Sequence, residues 1–273
     1  MSIRIERNST IDPITGKTIY DEAGRLEAIR KCEKIFNDGA EDEVRKIIDQ
    51  VNGKAIKQTP EEKLKILFKI LTGSEYIYDT NFKTEPHATR VWRMNYDNDY
   101  KYKDFHVPVP LADWRCLLLV KKGICKEFAL TFENLCVRLG IPCIEVEGMT
   151  TLEHVWNAVL INGEVRFIDT SFTKIDRMVR EGKEPVEKYF LKDYETFKQW
   201  GINCDDSLYI IKKRLVELQQ SMFGMKSDKI SGIRFLNEED TKKYGSNATG
   251  DGNVRTKGKI RFLNEDDIKK RRR

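Results

Sequence analysis

A cysteine, a histidine and an aspartate occur in this order in three short stretches whose patterns predict three different structural elements. Cys125 lies in Lys-Gly-Ile-Cys-Lys-Glu-Phe-Ala, His154 in His-Val-Trp-Asn, and Asp169 in Phe-Ile-Asp-Thr. A thiol attacks an acyl carbon well only as the thiolate, so it needs a base that takes its proton and a third group that orients that base. These three residue types fit thiol-dependent acyl transfer.

Cys125 lies at the start of a predicted helix. Apolar residues recur at helical spacing from Ile124 to Leu139, and a Gly and a Pro then end the pattern. We expect the helix to begin near Gly123, which puts Cys125 in the first turn. Unpaired backbone N–H groups and the positive end of the helix dipole favour a thiolate there. The alternative is that Cys125 is a small buried apolar residue, the commonest role of a free cysteine.

His154 and Asp169 lie on the two strands of a predicted hairpin. Residues 154–161 and 164–169 are rich in Val, Ile and aromatic residues, and the Asn162-Gly163 pair between them is typical of a two-residue turn. That turn makes His154 and Asp169 diagonal neighbours on one face, roughly 7–8 Å apart at the backbone. A one-residue change in register would put them on opposite faces. Each residue alone fits a structural role, but their joint placement favours a functional one.

The segment from about residue 112 to residue 172 resembles the core of the transglutaminase-like superfamily of papain-type cysteine enzymes. The similar features are the glycine two residues before a helix-starting cysteine, the Leu-Gly-Ile-Pro helix exit, the His-x-Trp-Asn strand and the Asp-Thr after the next strand. The resemblance implies an α+β fold in which an antiparallel sheet packs on the catalytic helix, with flanking helices. It also implies that Cys125 is the nucleophile, His154 the general base and acid, and Asp169 the residue that orients His154.

Two features depart from that superfamily. Glu127-Phe128-Ala129 stands where many members have Gly-Tyr-Ala, and Val155 stands where they have Ala, so we expect a different substrate rim. An oxyanion hole needs donors aimed at the developing negative charge. We expect the backbone N–H of Cys125 to be the first donor. The resemblance implies an upstream side chain as the second, with Trp92 and Trp114 as candidates, although a buried structural role is common for tryptophan.

The remaining sequence predicts helices around this core and a separate tail. Helices are expected at residues 22–37, 41–51, 60–71, 111–121, 186–200 and 207–222. The aromatic and irregular stretch 75–110 is either a wall of the active cleft or ordinary packing. We divide the chain into a largely helical N-terminal extension (1–58), a transglutaminase-like catalytic core (59–224) and a basic, flexible tail (225–273).

The tail contains an internal repeat. The sequence Ile-Arg-Phe-Leu-Asn-Glu begins at Ile233 and recurs at Ile260, with a polar, turn-rich linker between the copies. Residues 225–273 hold 14 Lys and Arg against 8 Asp and Glu, so the tail accounts for the net charge of +5. The repeats predict a docking motif for a protein partner, with idle duplicated sequence as the alternative. The final run 269–273 is basic, but such runs are usually only solvated, so we disfavour a nucleic-acid role.

Length and composition agree with a cytoplasmic enzyme. The chain has 273 residues, of which 40% are hydrophobic, enough for one substantial core. No apolar run approaches the ~20 residues of a membrane span, and the first residues show no signal-peptide pattern. The six cysteines include no Cys-x-x-Cys pair, and we find no acidic, glycine-centred calcium loop. We therefore expect neither a metal site nor a cofactor.

These observations predict a cysteine hydrolase or acyltransferase that acts on a peptide or amide substrate through a thioester intermediate, with hydrolysis as the default reaction. Protein crosslinking or deamidation by a transglutaminase is the first alternative. A non-catalytic interaction module with a partner-docking tail is the second. The substrate, the acyl acceptor and the oligomeric state are left open by the sequence.

Overall fold

Helices and strands are mixed in the computed structural model of this chain, which belongs to the α+β class. The structure describes residues 10–53, 58–80, 100–107, 109–150, 153–179 and 187–224. Residues 1–231 form one compact unit and residues 232–273 a second. Trp92, both tail repeats and the terminal basic run lie outside the described residues, so the predictions about them stay predictions.

The helices of the described residues are α1 (Glu22–Asn52), α2 (Pro60–Leu71), α3 (Trp114–Val120), α4 (Cys125–Arg138), α5 (Thr170–Val179), α6 (Tyr194–Gln199) and α7 (Leu208–Phe223). The strands are β1 (Thr10–Ile11), β2 (Thr18–Ile19), β3 (Ile77–Tyr78), β4 (Lys122–Gly123), β5 (Cys143–Met149), β6 (Glu153–Ile161), β7 (Glu164–Ile168) and β8 (Asn203–Cys204). The predictions of α2 and α7 are confirmed. Helices α3 and α6 are shorter than predicted. None of the described helices has both the length and the apolar character that a membrane crossing requires.

Helix α1 is one continuous helix of 31 residues, and the prediction of two helices in this region is wrong. The gap between the two predicted helices, residues 38–40, contains Gly39, and this glycine serves close packing instead of a turn. A Cβ at Gly39 would meet the ring of Tyr102 at 2.6–2.8 Å. Three residues of α1 (Val44, Ile47 and Val51) join the same core cluster as residues of α2 and α4. The predicted boundary at residue 58 remains a prediction.

Four antiparallel strands form the main sheet, in the order β7-β6-β5-β8. Ile161 pairs with Glu164 at the β6–β7 turn, as a two-residue loop requires. Asn162 and Gly163 have φ angles of 53° and 80°, and a type I′ turn needs positive φ at both positions. The predicted hairpin and its register are confirmed.

Helix α4 packs across one face of this sheet. Its apolar residues Phe128, Phe132 and Leu135 join Val159 and Ile168 of the hairpin in the main core cluster. The side-chain amide of Asn157 donates to the Ala129 carbonyl at 2.9 Å and ties β6 to the helix. Because side chains alternate along a strand, every second residue of β6 projects toward the opposite face. That second face packs against α6 through aromatic rings.

Candidate active site

His154 and Asp169 form a buried, hydrogen-bonded pair. The Nε2 atom of His154 lies 2.6 Å from Oδ2 of Asp169. His154 is 5% exposed and Asp169 is 1% exposed. A carboxylate can only accept, so Nε2 carries the proton and Nδ1 is the nitrogen left for another partner. The structure thus brings into contact two side chains that the hairpin register predicted as diagonal neighbours.

The first turn of α5 holds Asp169 in place. Its Oδ1 atom accepts hydrogen bonds from the Ser171 hydroxyl at 2.7 Å and from the Phe172 N–H at 2.8 Å. The Thr173 hydroxyl donates to the Asp169 carbonyl at 2.9 Å. Asp169 therefore caps the helix, where N–H groups and the helix dipole favour a negative charge. This arrangement leaves Oδ2 directed at His154.

The surroundings of His154 raise its pKa from 6.5 to about 10. Burial lowers this pKa, but the charge of Asp169 and the hydrogen bond to it outweigh burial. Cys125 raises the pKa further, both as a hydrogen-bond partner and as a nearby charge. His154 therefore favours the imidazolium form near neutral pH, opposite the sulfur of Cys125.

Cys125 is the first residue of α4, two residues later than the predicted start. Ile124 precedes it with extended backbone angles, φ −114° and ψ −169°. The N–H groups of this first turn have no acceptor within the helix, and together with the helix dipole they give this end of the helix a positive potential. Cys125 is partly exposed. It lies close enough to His154 for the two side chains to interact. The three residues predicted from the sequence thus form one connected group.

Glu127, which was expected to help form a different substrate rim, is instead a buried carboxylate in the same helical turn. It is completely buried. One of its oxygens accepts the Ile124 N–H at 2.9 Å and the other accepts the Ala112 N–H at 2.8 Å. Glu127 thereby ties the turn that carries Cys125 to the loop before α3. A glutamate three residues after a helix cap is half of a capping box, and this signal could have predicted the bond to Ile124.

The contacts described for Trp114 involve residues of α4 beyond its first turn. Its ring centroid lies 5.6 Å from the guanidinium carbon of Arg138, and its carbonyl accepts a hydrogen bond from Thr131. Arg138 is the last residue of α4, a helix of 14 residues. The two ends of α4 are therefore about 20 Å apart. Trp114 also packs against the same core cluster as Ile124, and its role as the second oxyanion donor stays a prediction.

Aromatic rings surround His154. The Phe172 ring stacks on the imidazole with 4.0 Å between centroids and 19° between planes. The Trp156 ring, on the same strand as His154, lies 5.7 Å from the imidazole between centroids. Phe172 also packs on Tyr189, which in turn contacts Trp200 at the surface. Apolar surroundings of this kind exclude water and strengthen the electrostatic interaction between His154 and its partners.

The other cysteines lie in buried or partly buried environments. Cys116, Cys136 and Cys143 are completely buried. Burial raises the pKa of Cys32 and raises the pKa of Cys204 to about 12. Cys125 combines partial exposure with a histidine partner. We therefore expect Cys125 to be the most reactive thiol.

Within the part of the chain that the structure describes, no group of three or more His, Cys, Asp or Glu side chains is arranged so that it could hold a metal ion. His106 has a different neighbourhood from His154. A Cβ built on Gly16 would meet the His106 ring at 3.1 Å, so that histidine packs against the β1–β2 turn. The candidate site therefore rests on His154 and its two neighbours.

Comparisons with known proteins add little to this geometry. No family model and no curated protein matches the chain. One solved structure, a crystal structure of a TGase, is similar to it with a TM-score of 0.37 and 16% sequence identity. The similarity covers 57% of this chain and 39% of that one, so the chain spans well under half of its length. A similarity this weak does not establish a shared fold.

Proposed function

We propose that this protein catalyses thiol-dependent acyl transfer on a peptide or amide substrate, with water as the acceptor. The observation that carries the proposal is the linked group of Cys125, His154 and Asp169. In this group a carboxylate holds one imidazole nitrogen, and the other nitrogen is left for a thiol at a helix N-terminus. Each of the three residues supplies one of the functions that this chemistry needs: the nucleophile, the base that exchanges its proton, and the group that orients the base.

The reaction would proceed in two stages. In the first, the Cys125 thiolate attacks the acyl carbon and forms a carbon–sulfur bond, while the backbone N–H of Cys125 stabilises the oxyanion. His154 then gives its proton to the leaving amine as the carbon–nitrogen bond breaks, and a thioester remains. In the second, His154 takes a proton from water, which attacks the thioester carbon. The carbon–sulfur bond then breaks and the acid is released. Sulfur leaves as the thiolate beside the protonated His154, which restores the starting state.

Asp169 would act through His154. Its carboxylate, fixed by the first turn of α5, keeps the imidazole in one orientation and stabilises the imidazolium. Because the pKa of His154 is raised to about 10, the histidine can stay protonated beside a thiolate over the neutral range. An ion pair of this type makes a cysteine nucleophilic without a metal.

A transglutaminase-like core is part of the same proposal. Its support is the sequence resemblance together with a helix that begins at the cysteine and packs on an antiparallel sheet. His154 lies on the second strand of that sheet and Asp169 directly follows the neighbouring strand. We retain a peptide or protein substrate and a cytoplasmic location as further predictions.

Intact-mass measurement after treatment with iodoacetamide near neutral pH tests the nucleophile. We expect the folded parent protein to gain one label at Cys125. The Cys125→Ala variant should gain none, whereas the matched control Cys204→Ala, which removes another partly buried thiol, should be labelled like the parent. An inert Cys125 in the folded protein would contradict the proposal and would favour a non-catalytic interaction module.

A further inference from the structure

Phe172 contacts both members of the His154–Asp169 pair. Its backbone N–H donates to Oδ1 of Asp169 at 2.8 Å. Its ring lies almost parallel to the His154 imidazole, at 4.0 Å between centroids. One residue therefore binds the carboxylate through its main chain and covers the imidazole with its side chain.

The stacked ring restricts how the imidazole can move. Rotation of His154 about its χ2 angle would drive the imidazole edge into the face of Phe172, so the stacking favours the orientation that presents Nε2 to Asp169. The Phe172 ring also contacts the ring of Tyr189, at 5.7 Å between centroids. It also shields the 2.6 Å hydrogen bond from water, which would otherwise compete for both partners.

We propose that Phe172 is a positioning residue for the reaction: its ring fixes the His154 imidazole between Asp169 and Cys125, and its N–H fixes the carboxylate. This inference rests on the proposed function but adds a residue that neither the three-residue pattern nor the sequence resemblance contains. Phe172 does not touch the reacting atoms. It acts by holding the His154 imidazole in one orientation and by excluding water from it.

The ring can be removed while an apolar side chain is kept. Phe172→Leu removes the flat ring but leaves the backbone N–H in place, and Phe172→Tyr retains the ring. Phe190→Leu is a matched control, because Phe190 is also a half-buried phenylalanine but packs on Phe68 at 5.1 Å between centroids. Phe172→Met is a second test of ring removal if the leucine variant unfolds at the measuring temperature.

Two measurements on the full chain test the role of the ring. The first is the proton NMR signal of the His154 ring N–H, assigned by its loss in His154→Gln. The second is the rate at which iodoacetamide labels Cys125. We expect Phe172→Leu or Phe172→Met to lose the slowly exchanging N–H signal and to label about 10-fold to 100-fold more slowly, since small displacements of reacting groups have effects of this size. Phe172→Tyr and Phe190→Leu should match the parent in both.

The outcomes separate this inference from the proposed function. If Cys125 of the parent is reactive, and the folded leucine and methionine variants match the parent in both measurements, Phe172 is not a positioning residue and the proposed function stands. If Cys125 of the parent is inert, the proposed function fails, and the N–H signal alone then decides whether Phe172 orients His154. Equal loss of the signal in Phe190→Leu would also overturn the inference.

Discussion

Gly148 pairs directly with His154 across the β5–β6 ladder. A Cβ at this glycine would lie 2.1 Å from the Asn203 carbonyl oxygen and 2.6 Å from the Trp156 ring, so a side chain there forces backbone movement. The close approach of β8 and the placement of Trp156 next to His154 both depend on this space. Gly148 therefore supports the site because its lack of a side chain leaves room for β8 and for Trp156.

Gly148→Ala should therefore destabilise the fold and slow the labelling of Cys125. We expect the free energy of unfolding to fall by about 1–3 kcal/mol, the usual cost of overpacking. Gly163→Ala is the control, because a Cβ there meets no atom within 4 Å but is strained by its φ of 80°. Urea denaturation should show a loss of stability in both variants, with slower labelling only in Gly148→Ala. Normal labelling in a destabilised Gly148→Ala would separate this glycine from the site.

Asp169→Asn should lower the pKa of His154. Burial then acts on the imidazole without the opposing charge of the carboxylate, so the pKa should fall from about 10 to near or below 6.5. The labelling rate of Cys125 at pH 7 should fall with it, because the thiolate loses its imidazolium partner. Asp38→Asn, a change at an exposed carboxylate on α1, is the control. The measurement is the pH dependence of labelling, and an unchanged profile in Asp169→Asn would contradict this role.

The raised pKa of His154 also predicts a dependence of stability on pH. The folded-state pKa of about 10 exceeds the ordinary value of 6.5, so the folded protein holds this proton more tightly. The resulting stabilisation is fully present below pH 6.5 and is lost as the pH rises through 10. Urea denaturation of the parent and of His154→Gln should give a stability difference that declines by up to about 1.4 kcal/mol per pH unit in this range. A difference that stays constant from pH 7 to pH 10 would argue against the raised pKa.

Glu133 should also contribute stability that is lost as the pH rises, because it is an acid that is costly to ionise. Burial raises its pKa to about 7, although the Glu145 N–H donates to it at 2.8 Å. The folded-state pKa is above the ordinary value of 4.5, so its stabilising effect is present below pH 4.5 and lost as the pH rises through 7.

Glu133→Gln should therefore be more stable than the parent at pH 8, by about 1–3 kcal/mol, and about equally stable at pH 4. Glutamine keeps an oxygen for the Glu145 N–H without the buried charge. The exposed Glu217→Gln on α7 is the control and should change little at either pH. Thermal unfolding at the two pH values measures the effect, and a loss of stability in Glu133→Gln at pH 8 would show that the charged carboxylate is favourable.

The features that could be predicted from the sequence are those with local causes. The Asn162-Gly163 turn determines the register of the hairpin, and the register determines that His154 and Asp169 share a face. The Gly140 exit similarly marks the end of α4. These rules involve neighbours in the sequence, so the structure could be anticipated without knowledge of the tertiary contacts.

The features that could not be predicted depend on distant segments. Gly39 falls in the gap between the two predicted helices, and only its contact with Tyr102 explains a continuous α1. The buried Glu127 accepts its second hydrogen bond from the Ala112 N–H, which lies in a separate loop. The Phe172 ring stacks on the imidazole of His154, which lies on another element. No periodicity or propensity encodes such contacts, because they arise when separate elements pack together.

Formation of an acyl-enzyme on Cys125 tests the central claim most directly. The folded protein is incubated with p-nitrophenyl acetate and its intact mass is measured, with Cys125→Ala and Cys204→Ala treated in parallel. We predict the mass increase of one acetyl group in the parent and in Cys204→Ala, its absence in Cys125→Ala, and its removal by hydroxylamine, as expected of a thioester. Absence of both the adduct and p-nitrophenol release in the folded parent, or persistence of the adduct in Cys125→Ala, would contradict the assignment of Cys125 as the nucleophile.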